Sequence, residues 1–117
     1  MYAERHTVTV TTASDGSATA YSPYLTGMVE SISYVKTDFA VGVDFTITAD
    51  VSGQSLWTDT NVDASETVRP VLAASIGGTG AASTLTEVPV VLVNERVKIV
   101  IASGGATKTG EFSIIVS

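Results

Sequence analysis

The stretch Asn94-Glu-Arg-Val-Lys-Ile-Val-Ile-Ala-Ser-Gly-Gly-Ala-Thr-Lys-Thr-Gly-Glu-Phe-Ser-Ile-Ile-Val116 decides the fold class. Val97, Ile99 and Ile101 alternate with Arg96, Lys98 and Val100, which is the period-2 pattern of a half-buried strand. Gly104-Gly105 predicts a two-residue turn of the type that needs φ > 0 at both central positions. Glu111 to Val116 then reads as a returning strand. Centring the turn on the two glycines places Lys98 opposite Glu111 and Val97 opposite Phe112. One face gains a charge pair and the other a core pair, so the expectation is a single antiparallel hairpin.

The same grammar of strand and turn runs through the rest of the chain. Thr7 to Thr12 predicts a first strand ended by Ser14-Asp15-Gly16, with Ser17 to Tyr21 returning. Met28 to Lys36 predicts another, with Met28, Ile32 and Tyr34 on one face and Val29 and Val35 on the other. Val43 to Val51 is the cleanest amphipathic segment: Val43, Phe45, Ile47 and Ala49 alternate with Asp44, Thr46, Thr48 and Asp50. Ser52-Gly53 turns into Gln54 to Thr58, which carries Trp57. Glu66 to Leu72 reads as an edge or bulged strand because of Pro70. Residues 73–83 read as a glycine-rich flexible loop, and Leu85 to Val93 as a strand interrupted at Pro89. The run Val88 to Val93 is nearly continuous in apolar residues. It predicts either a central core strand covered on both faces or a strand pressed against a neighbouring subunit.

No apolar period of 3.6 residues persists for three turns. About eight or nine short strands with turn signals between them predict one all-β domain, residues 1–117, an antiparallel β-sandwich or jelly-roll-like fold. Val, Ile and Thr make up roughly a third of the 117 residues, the composition that strands favour. Charged residues amount to 15%, so few charges are left to blunt bare strand edges, and partner subunits are expected to cover them.

The net charge of −6, with six Lys or Arg, argues against nucleic acid as a partner. The absence of cysteine excludes disulfides, Cys-ligated zinc and thiol catalysis. Met1 to His6 has no apolar run behind its basic residue, so no secretory signal is expected, and no apolar run is long enough for a membrane span. His6 has no orienting carboxylate or nucleophile fixed by spacing, and no serine lies in a G-x-S-x-G elbow. Asp59-Thr60-Asn61-Val62-Asp63 opens like a calcium loop, but Pro70 stands where the closing acid belongs, so a loop with local Asx hydrogen bonds is expected. Asp38, Asp44 and Asp50 would hold a cation only with another loop's help. Gly77-Gly78-Thr79-Gly80 lacks the following helix and the Lys-Ser/Thr pair of a phosphate loop. Tyr2, Tyr21, Tyr24, Tyr34 and Trp57 read as core or interface anchors, with a sugar platform as the rival reading. The chain is thus expected to be no enzyme, with no cofactor, no metal and no small-molecule substrate.

Three blocks together resemble a known family: Tyr34 to Ala40 with Gly42 to Thr48, Leu56-Trp57-Thr58 with Asn61-Val62, and Asn94 to Gly110. They look like small β-rich proteins encoded among the virion structural genes of tailed bacteriophages. The likeness runs from about Tyr21 onward and is strongest over Glu95 to Phe112. It implies an assembly role and transfers no catalytic residue. Within that class the favoured reading is a capsid decoration or cement protein, made in the host cytoplasm. It would bind the outer lattice as a dimer or trimer, its partners being the major capsid protein and itself. A head–tail or tail-associated sandwich, and a carbohydrate-binding or adhesin module, are the alternatives. The expected interface residues are Met1, Tyr2, Arg5, Trp57, Ile76, Gly77, Gly78 and Pro89, with residues 1–5 as an arm reaching a neighbour.

Overall fold

The computed structural model describes residues 3–75 and 82–117, and these hold eleven strands and no helix. In chain order they are β1 (Glu4–Thr11), β2 (Ala18–Tyr21), β3 (Leu25–Val35), β4 (Val43–Ala49), β5 (Ser55–Val62), β6 (Glu66–Val68), β7 (Val71–Ser75), β8 (Ala82–Pro89), β9 (Val91–Glu95), β10 (Val97–Ala102) and β11 (Thr109–Val116). Nine of them form two antiparallel sheets. One has the order β1-β11-β3, with β6 and β9 both paired to β3, and the other the order β2-β10-β4-β5. β7 and β8 pair with each other as a separate hairpin. The expected β-sandwich is therefore the fold.

Connectivity departs from the expected hairpins. β10 pairs with β2 and β4, whereas β11 pairs with β1 and β3, so the two halves of Asn94–Val116 lie in opposite sheets. Lys98 sits between Tyr21 and Thr48, and Glu111 between Thr9 and Val35. The linking residues have φ of 58° at Ser103, 86° at Gly105 and 51° at Thr107, while Gly104 is not in the positive-φ region that a type I′ turn requires. The segment arches across the core instead. β1 and β2 likewise occupy different sheets, so Ser17–Tyr21 does not return beside the first strand.

Three such crossings, β1 to β2, β3 to β4 and β10 to β11, stack at one end of the sandwich. Gly104 N–H donates to the Gly16 carbonyl at 2.9 Å, Ala40 N–H to the Gly104 carbonyl at 2.9 Å, and Thr107 N–H to the Ala13 carbonyl at 3.2 Å. Backbone groups that have left a ladder thus find partners in the neighbouring arch. The Thr12 hydroxyl, 3% exposed, donates to the Gly105 carbonyl at 2.5 Å and accepts from Lys108 N–H at 2.8 Å. Asp15 caps the first arch by accepting from the Ser17 hydroxyl and amide, which holds its carboxyl below the usual range.

Between the sheets, the inward faces meet in a core centred on aromatics. Tyr34 has Phe45 and Phe112 at 5.3 Å and Phe39 stacked at 6.1 Å, and Phe45 meets Trp57 edge-on at 4.7 Å. Val43, Phe45, Ile47 and Ala49 are all buried, as their alternation predicts. β3 does not keep one inward face throughout: Val29 and Ile32 are both buried. Opposite Ser31 and Val29 stand Ile115 and Val116, so Glu30 is an extra residue that flips the side-chain phase.

Other boundaries also move. Glu4 and Arg5 pair with Val116 and Ile115, so this part of the expected arm is strand. β7 and β8 extend into the expected 73–83 loop, whose remaining residues lie outside the described ones. The Asp59–Asn61 stretch belongs to β5 rather than to a loop, with Asn61 N–H donating to Asp44 Oδ1 at 2.8 Å. In Val88–Val93, Val90 and Leu92 are fully buried, but Val91 and Val93 are 51% and 71% exposed. Within the chain this run is half-buried rather than a central strand covered on both faces, and valines on both faces conceal the alternation.

Candidate interaction surface

At the end of the sandwich opposite the arches, a short connection places two tyrosines around an arginine. Ser22 governs this arrangement. Its backbone N–H donates to the Val97 carbonyl at 2.9 Å, and its hydroxyl accepts from Val97 N–H at 2.8 Å while donating to the Pro23 carbonyl at 2.8 Å. Ser22 is 3% exposed, so these bonds form away from water and fix the Tyr21–Tyr24 segment against the start of β10. Arg96, immediately before β10, then lies with its guanidinium carbon 4.0 Å from the Tyr21 ring centre and 5.4 Å from that of Tyr24. The electron-rich ring faces attract the guanidinium at these distances.

Asp50 completes the cluster. Arg96 Nη2 donates to Asp50 Oδ2 at 2.9 Å, and this bond raises the arginine's already high pKa. Both side chains are partly exposed, so solvent screens the pair and it adds little to stability. Its main effect is orientation: the bond to Asp50 holds the guanidinium close to both rings. Next to it, Glu95 is 5% exposed and accepts from Val51 N–H and Ser52 N–H, both at 2.9 Å. A buried carboxylate thus anchors the β4–β5 turn to the end of β9. The turn tip presents Val51 at 79% exposure, and Val93 projects two residues before Glu95.

Tyr21, Tyr24, Arg96, Val51 and Val93 therefore share one end of the molecule on backbone that is hydrogen-bonded in place. Tyr and Arg are the residue types that dominate binding energy at protein interfaces, and isolated apolar side chains beside them supply area. A shallow cavity of about 170 Å³ adjoins this end, lined by Glu4, His6, Tyr24, Leu25, Thr26, Val116 and Ser117. His6 Nε2 lies 3.3 Å from Glu4 Oε2 there, the imidazole half-buried and the carboxylate exposed.

Of the residues expected at an interface, Arg5, Trp57 and Pro89 are among the described ones, and these three lie apart. Arg5 is exposed on β1 at one edge, and Pro89 is exposed at the end of β8 opposite Val71. Trp57 is 8% exposed with its ring against Phe45, so it serves the core rather than presenting a surface. Met1, Tyr2, Ile76, Gly77 and Gly78 lie outside the described residues. Of the five expected aromatic anchors, Tyr34 and Trp57 are core, and Tyr21 and Tyr24 form the exposed pair. Asp38, Asp44 and Asp50 do not converge, and no group of three or more metal-ligating side chains exists among the described residues. Arg96, Val51 and Val93 were not marked by sequence, although a Tyr-Ser-Pro-Tyr connection is itself a signal of exposed aromatics.

No protein-family model matches the sequence, and no curated protein matches it. Among solved structures, one described as the crystal structure of FLHE is similar over 97% of this chain and 95% of its own, at 14% identity and a TM-score of 0.45. At that level of likeness no role passes from one protein to the other.

Proposed function

We propose that this protein is a virion structural protein, a decoration or cement protein that docks on the outer lattice of a capsid and clamps neighbouring subunits. The observation that carries the reading is the rigid corner of Tyr21, Arg96 and Tyr24 flanked by Val51 and Val93. Its composition suits the centre of a protein interface, and its backbone is fixed before binding, which lowers the entropy cost of docking. The resemblance of the Tyr34–Thr48, Leu56–Val62 and Asn94–Gly110 blocks to phage virion proteins supports the class. Exposed valines on β9 and a sandwich held by stacked arches suit a part that adds buried area to a shell under internal pressure.

Co-sedimentation with empty capsids tests the reading, using free major capsid protein as control. Saturable binding at a fixed ratio to capsid subunits is expected, with Tyr24→Ala and Arg96→Ala weakening it about tenfold or more, a loss in the range of a single interface anchor. Absence of binding to capsids would contradict it and leave a neck or tail position as the rival.

A further inference from the structure

The free strand edges of the sandwich are unequal. β2 has four residues, and β6 has three and is followed by Pro70. β5 breaks register twice against β4 and carries Asn61 at φ 55°. β9 has five residues, shifts register against β3 and ends beside Asn94 at φ 48°. Short length, proline, bulges and twisted backbone each hinder the addition of another strand. β1 has none of these features. Its eight residues pair with β11 in unbroken register from Glu4–Val116 to Thr11–Thr109, and among the described residues no strand pairs with its other edge.

The ladder shows which groups that edge offers. Thr12 N–H donates to the Lys108 carbonyl at 2.8 Å, so even-numbered residues of β1 aim their backbone at β11. Alternation leaves the N–H and C=O of Arg5, Thr7, Thr9 and Thr11 pointing outward. The side chains of the same four residues are exposed. Between Thr7 and Thr11 the edge carries no charge, which removes the usual obstacle to approach by a second copy of an acidic chain.

We propose that β1 pairs antiparallel with β1 of a second copy about a two-fold axis through Val8, joining two five-stranded sheets into one continuous sheet. This register sets Thr7 opposite Thr9 of the partner subunit, and Arg5 opposite Thr11 of the partner subunit. Thr–Thr pairs across neighbouring strands are favourable, and no like charges face each other. The contact is isologous, so it closes at a dimer rather than running on as a fibre. It gives a surface to the self-association contained in the proposed function and rests on that part alone, because the test needs no capsid.

Sedimentation velocity of the purified chain over a concentration series is the experiment. The unmodified protein is expected to sediment at twice the chain mass. The double variant T7K/T9K, which sets like charges opposite one another across the axis, is expected to sediment as a monomer with unchanged circular dichroism and melting. Thr9→Pro provides a second route. Its lost N–H faces the open edge, so the β1–β11 ladder keeps its bonds while pairing with a second copy is blocked. A wild-type monomer at high micromolar concentration, or a dimer that survives both variants, would overturn the proposal.

Discussion

The hydroxyl of Thr12 accepts from the backbone N–H of Lys108 at 2.8 Å, 96 residues away in sequence. It thereby fastens the arch between β1 and β2 to the arch between β10 and β11, two of the three stacked crossings that distinguish this sandwich from a chain of hairpins. Thr12→Val keeps the shape and removes both hydroxyl bonds, leaving the Lys108 N–H without a side-chain acceptor. A loss of about 1–3 kcal/mol in urea unfolding is expected. Thr12→Ser, which retains the hydroxyl, is expected to lose less than half as much.

Gly110 tests the packing of the β3–β4 crossing. A Cβ added there would lie 2.6 Å from Phe39 Cδ2 and 2.7 Å from its Cζ, so the ring occupies the space a side chain needs. Phe39 is 3% exposed and closes the core under the arches. Gly110→Ala is expected to destabilise by roughly 1–3 kcal/mol through overpacking. Pairing it with Phe39→Leu should recover part of that loss, and equal losses with and without the second change would show that the ring is not the obstacle.

Glu95 supports the exposed corner from below. Glu95→Ala leaves the Val51 and Ser52 N–H groups without their acceptor, with an expected cost of about 2–3 kcal/mol. Glu95→Gln keeps one oxygen in place and should retain most of the stability. Hydrogen exchange at Val51 and Ser52 separates the local effect from the global one, because these amides should lose protection in the alanine variant before the β10 amides do.

Glu66 gives the fold a modest pH dependence. Its pKa is raised, first by the hydrogen bond its protonated form donates to Asp59, and then by desolvation and the charges of Asp59 and Asp63. A carboxyl with a folded-state pKa above its unfolded value binds more protons when folded. Its contribution therefore favours the folded state at low pH and is lost as pH rises through the folded pKa, upward from the ordinary 4.5. Glu66→Gln is expected to flatten that slope in melting temperatures measured from pH 4 to pH 7. An unchanged slope would place the dependence elsewhere.

How far the sequence discloses this fold varies by element. The inward face of β4 is legible, since Val43, Phe45, Ile47 and Ala49 alternate with polar residues and all four are buried, although the strand ends at Ala49 and not at Val51. The Asn94–Val116 stretch shows the limit. Alternation reports that Val97, Ile99, Ile101, Phe112 and Ile114 face inward, which is true of a hairpin and equally true of two strands facing each other across a core. The apparent Lys98–Glu111 charge pair suits the hairpin only; the glycine pair announces the positive φ of Gly105, but no local motif announces those of Ser103 and Thr107. In β3, one bulged residue at Glu30 shifts the phase. For the exposed corner, Tyr21 and Tyr24 stand out in the sequence, but Arg96 reaches them through the Ser22–Val97 bonds, which span 75 positions. Contacts of that range are set by strand order, and strand order is what periodicity leaves open.

Cryo-microscopy of the intact particle would locate the sandwich directly. A decoration role predicts density for this nine-stranded sandwich on the outer capsid lattice, in a fixed ratio to the capsid subunit, with the Tyr21–Arg96–Tyr24 corner turned toward a neighbouring protein. Density confined to the neck or tail, or a capsid-bound sandwich with that corner facing solvent, would contradict it.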